Sequence, residues 1–313
     1  MGLEESKPSK NKKHFETFLS LPTKSFFDAS LRTRFMDANV SEFDLEIEAG
    51  HAEKHYWQDL WRYRELFYFL AWRDILVRYK QTLIGVAWSL IRPFLAMVVF
   101  TVLLGKLAKL PSGGVPYPIL VFCGLLPWQL FANSLSESGN SVVANSSLIS
   151  KIYFPRLIVP AGSVVVGLVD FFISFVFLLV LMAWYRFAPD WRMLFLPLFT
   201  LVTVALSLGA GLFIAALNVK YRDFRFVVPF VVQFGLYVTP VGFNSAIVPE
   251  KWRLLYSINP LVGVIDGFRW AILRGQTPLD LSSFILSLAI VIGSLFFGFW
   301  YFRKTERTFA DVI

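Results

Sequence analysis

Charge is scarce in this sequence. Asp, Glu, Lys and Arg make up only 17% of the 313 residues, against roughly a quarter in a soluble domain. Hydrophobic residues make up 56%, and 33 residues are Phe. That balance points to lipid as the solvent. Cysteine is nearly absent: Cys123 stands alone, which excludes an intrachain disulfide and a cysteine metal cluster, and it sits in an apolar run as a small core residue. Histidine is missing beyond His55; His14, His51 and His55 all precede the apolar part, which therefore lacks the commonest general base. The sequence has no GxxxxGK[ST] phosphate loop and no His-Glu-x-x-His zinc motif, so neither ATP hydrolysis by the usual route nor zinc chemistry is expected of it. Gly105–Pro116 holds no acidic residue, removing the carboxylates that a lipid-dependent glycosyltransferase needs on the outer face. Met1–Lys13 is polar with no apolar core, so no signal peptide is expected, and the first spanning helix should serve as the insertion signal.

The base is unevenly placed. Residues 1–80 carry 13 Lys/Arg and 13 Asp/Glu, whereas residues 81–313 carry 17 and 9. The net charge of +8 therefore lies entirely in the apolar part. It is spread thinly through loops between apolar runs, which suits a membrane surface; a nucleic-acid binder would gather it into a soluble patch. No nucleic-acid partner is expected.

Six apolar stretches run Ile84–Leu104, Tyr117–Leu135, Leu157–Tyr185, Met193–Leu217, Phe226–Ala246 and Phe284–Phe302. Each is near the ~20 residues that cross a hydrocarbon core. In the third, Pro160 is expected to divide a leading segment from the span. A seventh stretch, Leu254–Leu273, contains Pro260, Asp266 and Arg269 and reads as re-entrant or interfacial, because irregular backbone at membrane depth needs shelter. Residues 1–56 form a polar tail. From Trp57 to Lys80 the pattern turns helical, with Trp57, Trp61, Tyr68, Trp72 and Ile75 near one side and Gln58, Arg62, Glu65, Arg73 and Lys80 near another. This reads as an amphipathic helix in the membrane interface; the alternative is a soluble helix packed on its own domain. Residues 81–313 form the transmembrane domain. The expected fold is an all-α membrane protein with six transmembrane helices, an N-terminal interfacial amphipathic helix and a re-entrant segment before the last helix.

Lys and Arg placement orients the chain. With both termini inside, and only Arg73, Arg78 and Lys80 counted from the tail, 11 basic residues lie inside and 8 outside, Arg269 among the latter. In the fourth span Ser207, Gly211 and Ala215 recur every four residues with Gly209 and Ala210 between them, a seam for close helix packing.

Two inner loops stand out. NSSLISKIYFPR (Asn145–Arg156) sets Ile152, Tyr153 and Phe154 beside Lys151 and Arg156, and apolar residues exposed on a cytoplasmic loop call for a cover of lipid or protein. NVKYRDFRFVVPFVVQ (Asn218–Gln233) places Tyr221, Arg222 and Asp223 just inside the membrane, where a positive-inside anchor with a local ion pair is the simpler account. With YKQTLIGVAWSLIRP (Tyr79–Pro93), SLISKIYFPRLIVP (Ser147–Pro160) and NPLVGVIDGFRWAILRG (Asn259–Gly275), these segments resemble the permease subunit of ABC-2 type polysaccharide exporters, the group that exports O-antigen, capsule and teichoic-acid chains. The resemblance covers about Trp57 to Phe302 and leaves the first 50 or so residues outside.

The resemblance implies a homodimer in the bacterial inner membrane, both termini cytoplasmic, docked to separate ATP-binding-cassette subunits. ATP and Mg would be bound by those subunits, and this chain would hold no cofactor. Lys151, Ile152, Tyr153, Phe154, Pro155 and Arg156 would form a coupling helix on the ATPase, with Tyr221, Arg222 and Asp223 near the same contact. The transported substrate would be a polyprenyl-diphosphate-linked polysaccharide. The first and fifth spans would face the channel, bringing Trp88, Arg92, Phe94, Phe230, Phe234 and Tyr237 to its wall, where aromatic faces suit sugar rings. A stripe of Phe in so aromatic a chain equally suits lipid or helix packing. Arg92 lies about 11 Å into the first span, placed either to attract a lipid diphosphate or to snorkel to the interface. Asp170, near the middle of the third span, is expected to pair within the protein. Two other readings stay open: an ABC-2 exporter of another lipid or small amphiphile, and a membrane enzyme of glycan assembly.

Overall fold

The computed structural model describes residues 56–80, 85–221 and 223–309. The tail through residue 55 and Arg222 lie outside the described residues, so the expectations placed on them are not met by any structural statement. Among the described residues the architecture is all helical. In chain order the helices are α1 (Tyr56–Arg62), α2 (Arg64–Lys80), α3 (Gly85–Phe100), α4 (Tyr117–Ala144), α5 (Ser146–Ile149), α6 (Ile158–Trp184), α7 (Leu196–Lys220), α8 (Phe224–Val238), α9 (Glu250–Tyr256), α10 (Pro260–Ile272) and α11 (Leu281–Glu306). A π-helical turn, Thr101–Leu107, extends α3, and a 3₁₀ turn, Trp191–Phe195, leads into α7.

Five of these helical runs are long and apolar enough to cross a membrane: Ala87–Leu107, Tyr117–Ala144, Ile158–Trp184, Trp191–Lys220 and Leu281–Glu306. The fifth apolar stretch departs from expectation. Its helix, α8, has 15 residues, which is about 22 Å of rise, and it stops at Val238 because Thr239 turns to extended backbone ahead of Pro240. Pro160 does not divide the third stretch either. It falls in the first turn of an unbroken α6, where its missing N–H has no helical partner to lose. The second helix runs nine residues past Leu135, through Ser136–Ala144.

α4 is the centre of the bundle and packs against α6 and α7. Most of its side chains are buried inside the protein, including the polar Ser134, Ser138 and Ser141. The small-residue seam on α7 serves two neighbours. Gly209 meets α11 so closely that a Cβ built on Gly298 would lie 2.0 Å from the Gly209 carbonyl oxygen. Gly211 faces α4, where a Cβ would fall 2.5 Å from Ser138 Oγ. At the end of α7, Asn218 donates to the Gly139 carbonyl at 3.1 Å and to Asn140 Oδ1 at 2.9 Å, tying it to α4. Thr203 and Ser207 return their hydroxyls to the carbonyls four residues earlier at 2.8 Å, so neither of these two donors is left alone in the apolar interior.

The stretch 254–273 folds as two helices, α9 and α10. Asn259 caps α10 by accepting from Leu261 N at 3.1 Å, with Pro260 at its first position. α10 is buried against α11, α4 and α7. Arg269, placed by its charge among the outer-loop residues, is instead fully buried. Its guanidinium donates to the Val241 carbonyl at 2.8 Å and the Phe243 carbonyl at 2.7 Å. This is possible because Gly124 on α4 leaves space, a Cβ there coming within 3.1 Å of the guanidinium and 2.7 Å of the Val241 oxygen. The cation thus satisfies carbonyls freed where α8 ends, a packing role that a tally of loop charges cannot distinguish from a surface anchor.

Candidate functional site

The polar centre of the transmembrane part is Asp170 on α6, about 18 Å from the start of that helix by its rise. It is 5% exposed. Three helices deliver four donors to it. From α2, Arg78 forms an ion pair at 2.7 Å, and the Tyr79 hydroxyl donates a hydrogen bond. Ser89 on α3 donates at 2.9 Å and Asn133 on α4 at 3.4 Å. Arg78 also reaches Glu137 on α4 at 3.2 Å. Burial first, then the bond to Asp170, pushes the Tyr79 phenol up to about 12, so it remains a donor at neutral pH. A carboxylate at this depth is tolerable only with such partners, and the expectation of an intramolecular pair describes it well.

The cluster forms one wall of a cavity of about 360 Å³. α3 contributes Trp88, Ser89, Arg92 and Ala96, which helical spacing places on one face. α4 contributes Leu125, Trp128, Gln129, Ala132 and Asn133 by the same periodicity. Leu236 of α8 closes the remaining side. α8 approaches tightly at Gly235, where a Cβ would come within 2.7 Å of the buried Trp128 ring. Arg92 has no hydrogen-bond or ion-pair partner among the described residues, whereas Arg78 is neutralised by Asp170. The lining therefore offers one uncompensated guanidinium, two indoles and two carboxamides: chemistry that takes an anion beside a polar, ring-shaped group.

The expected channel residues divide. Trp88 and Arg92 line this cavity. Phe94 does not: it turns into a second, more apolar hollow of about 480 Å³ between α3, α4 and α6, where its ring meets Phe177 edge-on at 6.0 Å. Phe230, Phe234 and Tyr237 lie on the exposed face of α8. The first two stack in parallel at 6.0 Å, and Tyr237 lies 6.4 Å from Phe100 on α3. Arg78, Tyr79, Ser89, Gln129, Asn133 and Asp170 complete the cavity and its polar wall, and none was among the expected channel residues.

The loop between α5 and α6 also divides. Lys151, Ile152 and Tyr153 are exposed. Phe154, expected to be exposed, is 4% exposed, and Pro155 is buried beside it. Phe154 belongs to a core that includes Tyr56, Leu70, Ile149, Leu157, Phe302 and Phe309. Arg156 binds the end of α11: its backbone N donates to Glu306 Oε1 at 2.7 Å, and its guanidinium donates to the Glu306 carbonyl. At the α7–α8 junction, Tyr221 is half exposed with Lys220 Nζ 5.3 Å from its ring centroid, and Asp223 precedes the first turn of α8.

Among the described residues, an all-helical bundle with five membrane-length apolar helices, built around a buried carboxylate in an ion pair and a polar cavity, is a multi-pass membrane protein. It belongs to the ABC-2 type transporter family, whose profile matches residues 65–273. The chain is 27% identical over 260 residues to the O-antigen export system permease protein RfbA of Myxococcus xanthus, covering 82% of this chain and 98% of that protein. It is 27% identical over 252 residues to the protein of the same name from Klebsiella pneumoniae, covering 80% and 95%. The polysialic acid transport protein KpsM of Escherichia coli is 22% identical over 240 residues, covering 75% and 91%.

Proposed function

We propose that this chain is the membrane subunit of an ATP-driven exporter that moves a lipid-linked polysaccharide from the cytoplasm across the bacterial inner membrane. The observation that carries this reading is the extent of the likeness. It spans 98% and 95% of two O-antigen export permeases, so the resemblance is to a whole transmembrane unit. The cavity fits the same reading: Arg92 would attract the diphosphate, while Trp88 and Trp128 would face sugar rings. ATP and Mg would belong to a separate ATPase subunit, since this chain lacks a phosphate loop.

The topology is read as six spans with both termini cytoplasmic. Support for an even count comes from one contact. Tyr56 at the start of α1 donates to Glu306 at the end of α11 at 3.3 Å, and Arg156 meets the same glutamate. Residues in contact share a face of the membrane, so an even number of crossings separates them. α9 and α10, of 7 and 13 residues, are too short to cross; we read α8, the next longest apolar helix, as the sixth span and α9–α10 as a re-entrant pair beside α4, α7 and α11. The exposed Trp57, Trp61, Tyr68 and Trp72 on α1 and α2 suit an interfacial position, and the exposed faces of α3 and α8 suit a second copy of the chain across a channel.

The test is reconstitution. The chain co-expressed with its ATPase and placed in vesicles should export lipid-linked glycan only with ATP, and the chain alone should hydrolyse none. Transport of a lipid without glycan would favour the reading as an exporter of other amphiphiles. Glycan turnover by the chain alone would establish a membrane enzyme instead.

A further inference from the structure

The cytoplasmic end of the bundle contains a linkage that the export reading does not use. A single carboxylate, Glu306, joins three segments far apart in sequence. Its Oε1 accepts from the backbone N of Arg156 at 2.7 Å. Its Oε2 accepts from the Tyr56 hydroxyl at 3.3 Å. Its own carbonyl accepts from the Arg156 guanidinium. The last turn of α11 closes the arrangement from the other side, with the Arg303 guanidinium 4.2 Å from the Tyr56 ring centroid. Beyond Glu306 the chain folds back so that Phe309, fully buried, meets Phe302 edge-on at 5.3 Å and lies 5.8 Å beneath the Arg156 guanidinium. Phe154 packs into the same core.

The neighbouring Ile152 and Tyr153 point outward at 53% and 60% exposure. The loop is thus bound on one side and presented on the other. Resting on the reading that Lys151–Arg156 docks the ATPase, we propose that Glu306 is the positioning residue that transmits displacement of this loop to the last transmembrane helix and to α1. A push on Tyr153 reaches Arg156 through three peptide bonds. Arg156 is held to α11 by two bonds, one through the Glu306 carboxylate and one through its own guanidinium, so each has a charged partner. Because Glu306 ends a helix of 26 residues, any movement at Arg156 acts on the end of a rigid rod; the hydrogen bond of Tyr56 carries the same movement into the start of α1.

The experiment uses the permease–ATPase complex in vesicles, with Glu306→Gln and Glu306→Asp. Gln keeps an oxygen for the Arg156 N–H but removes the charge; Asp keeps the charge on a shorter arm. Three quantities are read: permease level, ATPase co-purified per permease, and ATP hydrolysed per glycan exported. The Gln variant should keep level and co-purification near wild type while ATP hydrolysed per glycan rises by at least about fivefold, the range of a typical coupling energy, and Asp should recover part of the loss. A Gln variant with an unchanged ratio overturns the proposal. So does one whose co-purification and export fall in equal proportion, which marks a residue that only holds the fold. A Tyr153→Ala control separates the underlying reading: if it leaves ATPase co-purification intact, the docking assignment fails whatever Glu306 does.

Discussion

Replacing Asp170 with Asn removes one charge and nothing else of size, so it isolates what the buried carboxylate contributes. In the native arrangement Asp170 receives Arg78 at 2.7 Å, Ser89 at 2.9 Å and the Tyr79 hydroxyl. The amide cannot accept on both heads, so at least one of these donors loses its partner. Breaking a fully buried pair costs about 3–5 kcal/mol. Here the Arg78 side chain is 29% exposed and keeps Glu137 at 3.2 Å, so the cost falls to about 2 kcal/mol, near that of a hydrogen bond to a charged group. Arg78→Gln should cost a similar amount by the reverse loss. The double variant should cost less than the sum of the two, with a coupling of about 1–2 kcal/mol. The assay is reversible unfolding of the purified permease in mixed micelles by titration with a denaturing detergent, with all four proteins of the cycle. Because Arg78 and Tyr79 both lie on α2, the same variants should expose α2 to protease before the rest of the bundle opens. A cycle that is additive to within about 0.5 kcal/mol, with α2 still protected, would refute the account of Asp170 as the anchor of that helix.

Cysteine at Ser112 should react with an impermeant thiol reagent added outside, and cysteine at Ser147 only from the cytoplasm; buried Cys123 gives little background, and the reverse pattern would overturn the orientation. Arg92→Lys should keep part of export, because it retains charge without the planar fork, while Arg92→Leu should abolish export at normal membrane level; full export by the Leu variant would leave Arg92 as an interfacial anchor. Phe154→Ala should destabilise the permease by about 3 kcal/mol, as for a Phe removed from a core, whereas Tyr153→Ala should leave stability unchanged and lower only ATPase co-purification. Equal stability of the two variants would contradict the inward and outward division of their loop.

The long helices were legible because lipid writes them as apolar runs. Where protein replaces lipid as the surroundings, the signal fades. α4 continues through Ser136–Ala144 because its polar residues there are buried against α7, as the bonds of Asn218 to Gly139 and Asn140 show; hydropathy reads the same residues as the end of a span. α8 shows the opposite failure. Its apolar run continues past Val238, yet Pro240 and the demand of Arg269 for the Val241 and Phe243 carbonyls turn the backbone out of the helix. For the cavity, two residues announced themselves as charges inside spans: Asp170 and Arg92. A further signal was present in α4, where Gln129, Asn133 and Glu137 recur every four residues, which marks a polar stripe. Nothing local linked that stripe to Arg78, because the link is made only when α2 packs across α6.

The loop from Lys151 to Arg156 shows why sequence placed its residues together but misjudged their directions. Ile-Tyr-Phe in a cytoplasmic loop reads as three exposed apolar groups in need of one cover. The structure supplies a cover for one of them only. Phe154 is enclosed by the chain itself, in the core made by Ile149, Leu157, Phe302 and Phe309, and Pro155 fixes the backbone as it leaves that core. Ile152 and Tyr153 stay outside. The inward residue is what makes the outward ones useful. A loop tethered at Ile149, Phe154 and Arg156 cannot collapse its exposed side chains onto the membrane or back onto the bundle. A protein seated on Ile152 and Tyr153 would meet them already ordered and would lose little loop entropy in binding. Under the proposed transmission, the same tether would pass a load on the loop's outer face into α11. Docking and transmission would then depend on different residues of one short segment: the exposed pair for contact, and Phe154 with Arg156 for the grip behind it.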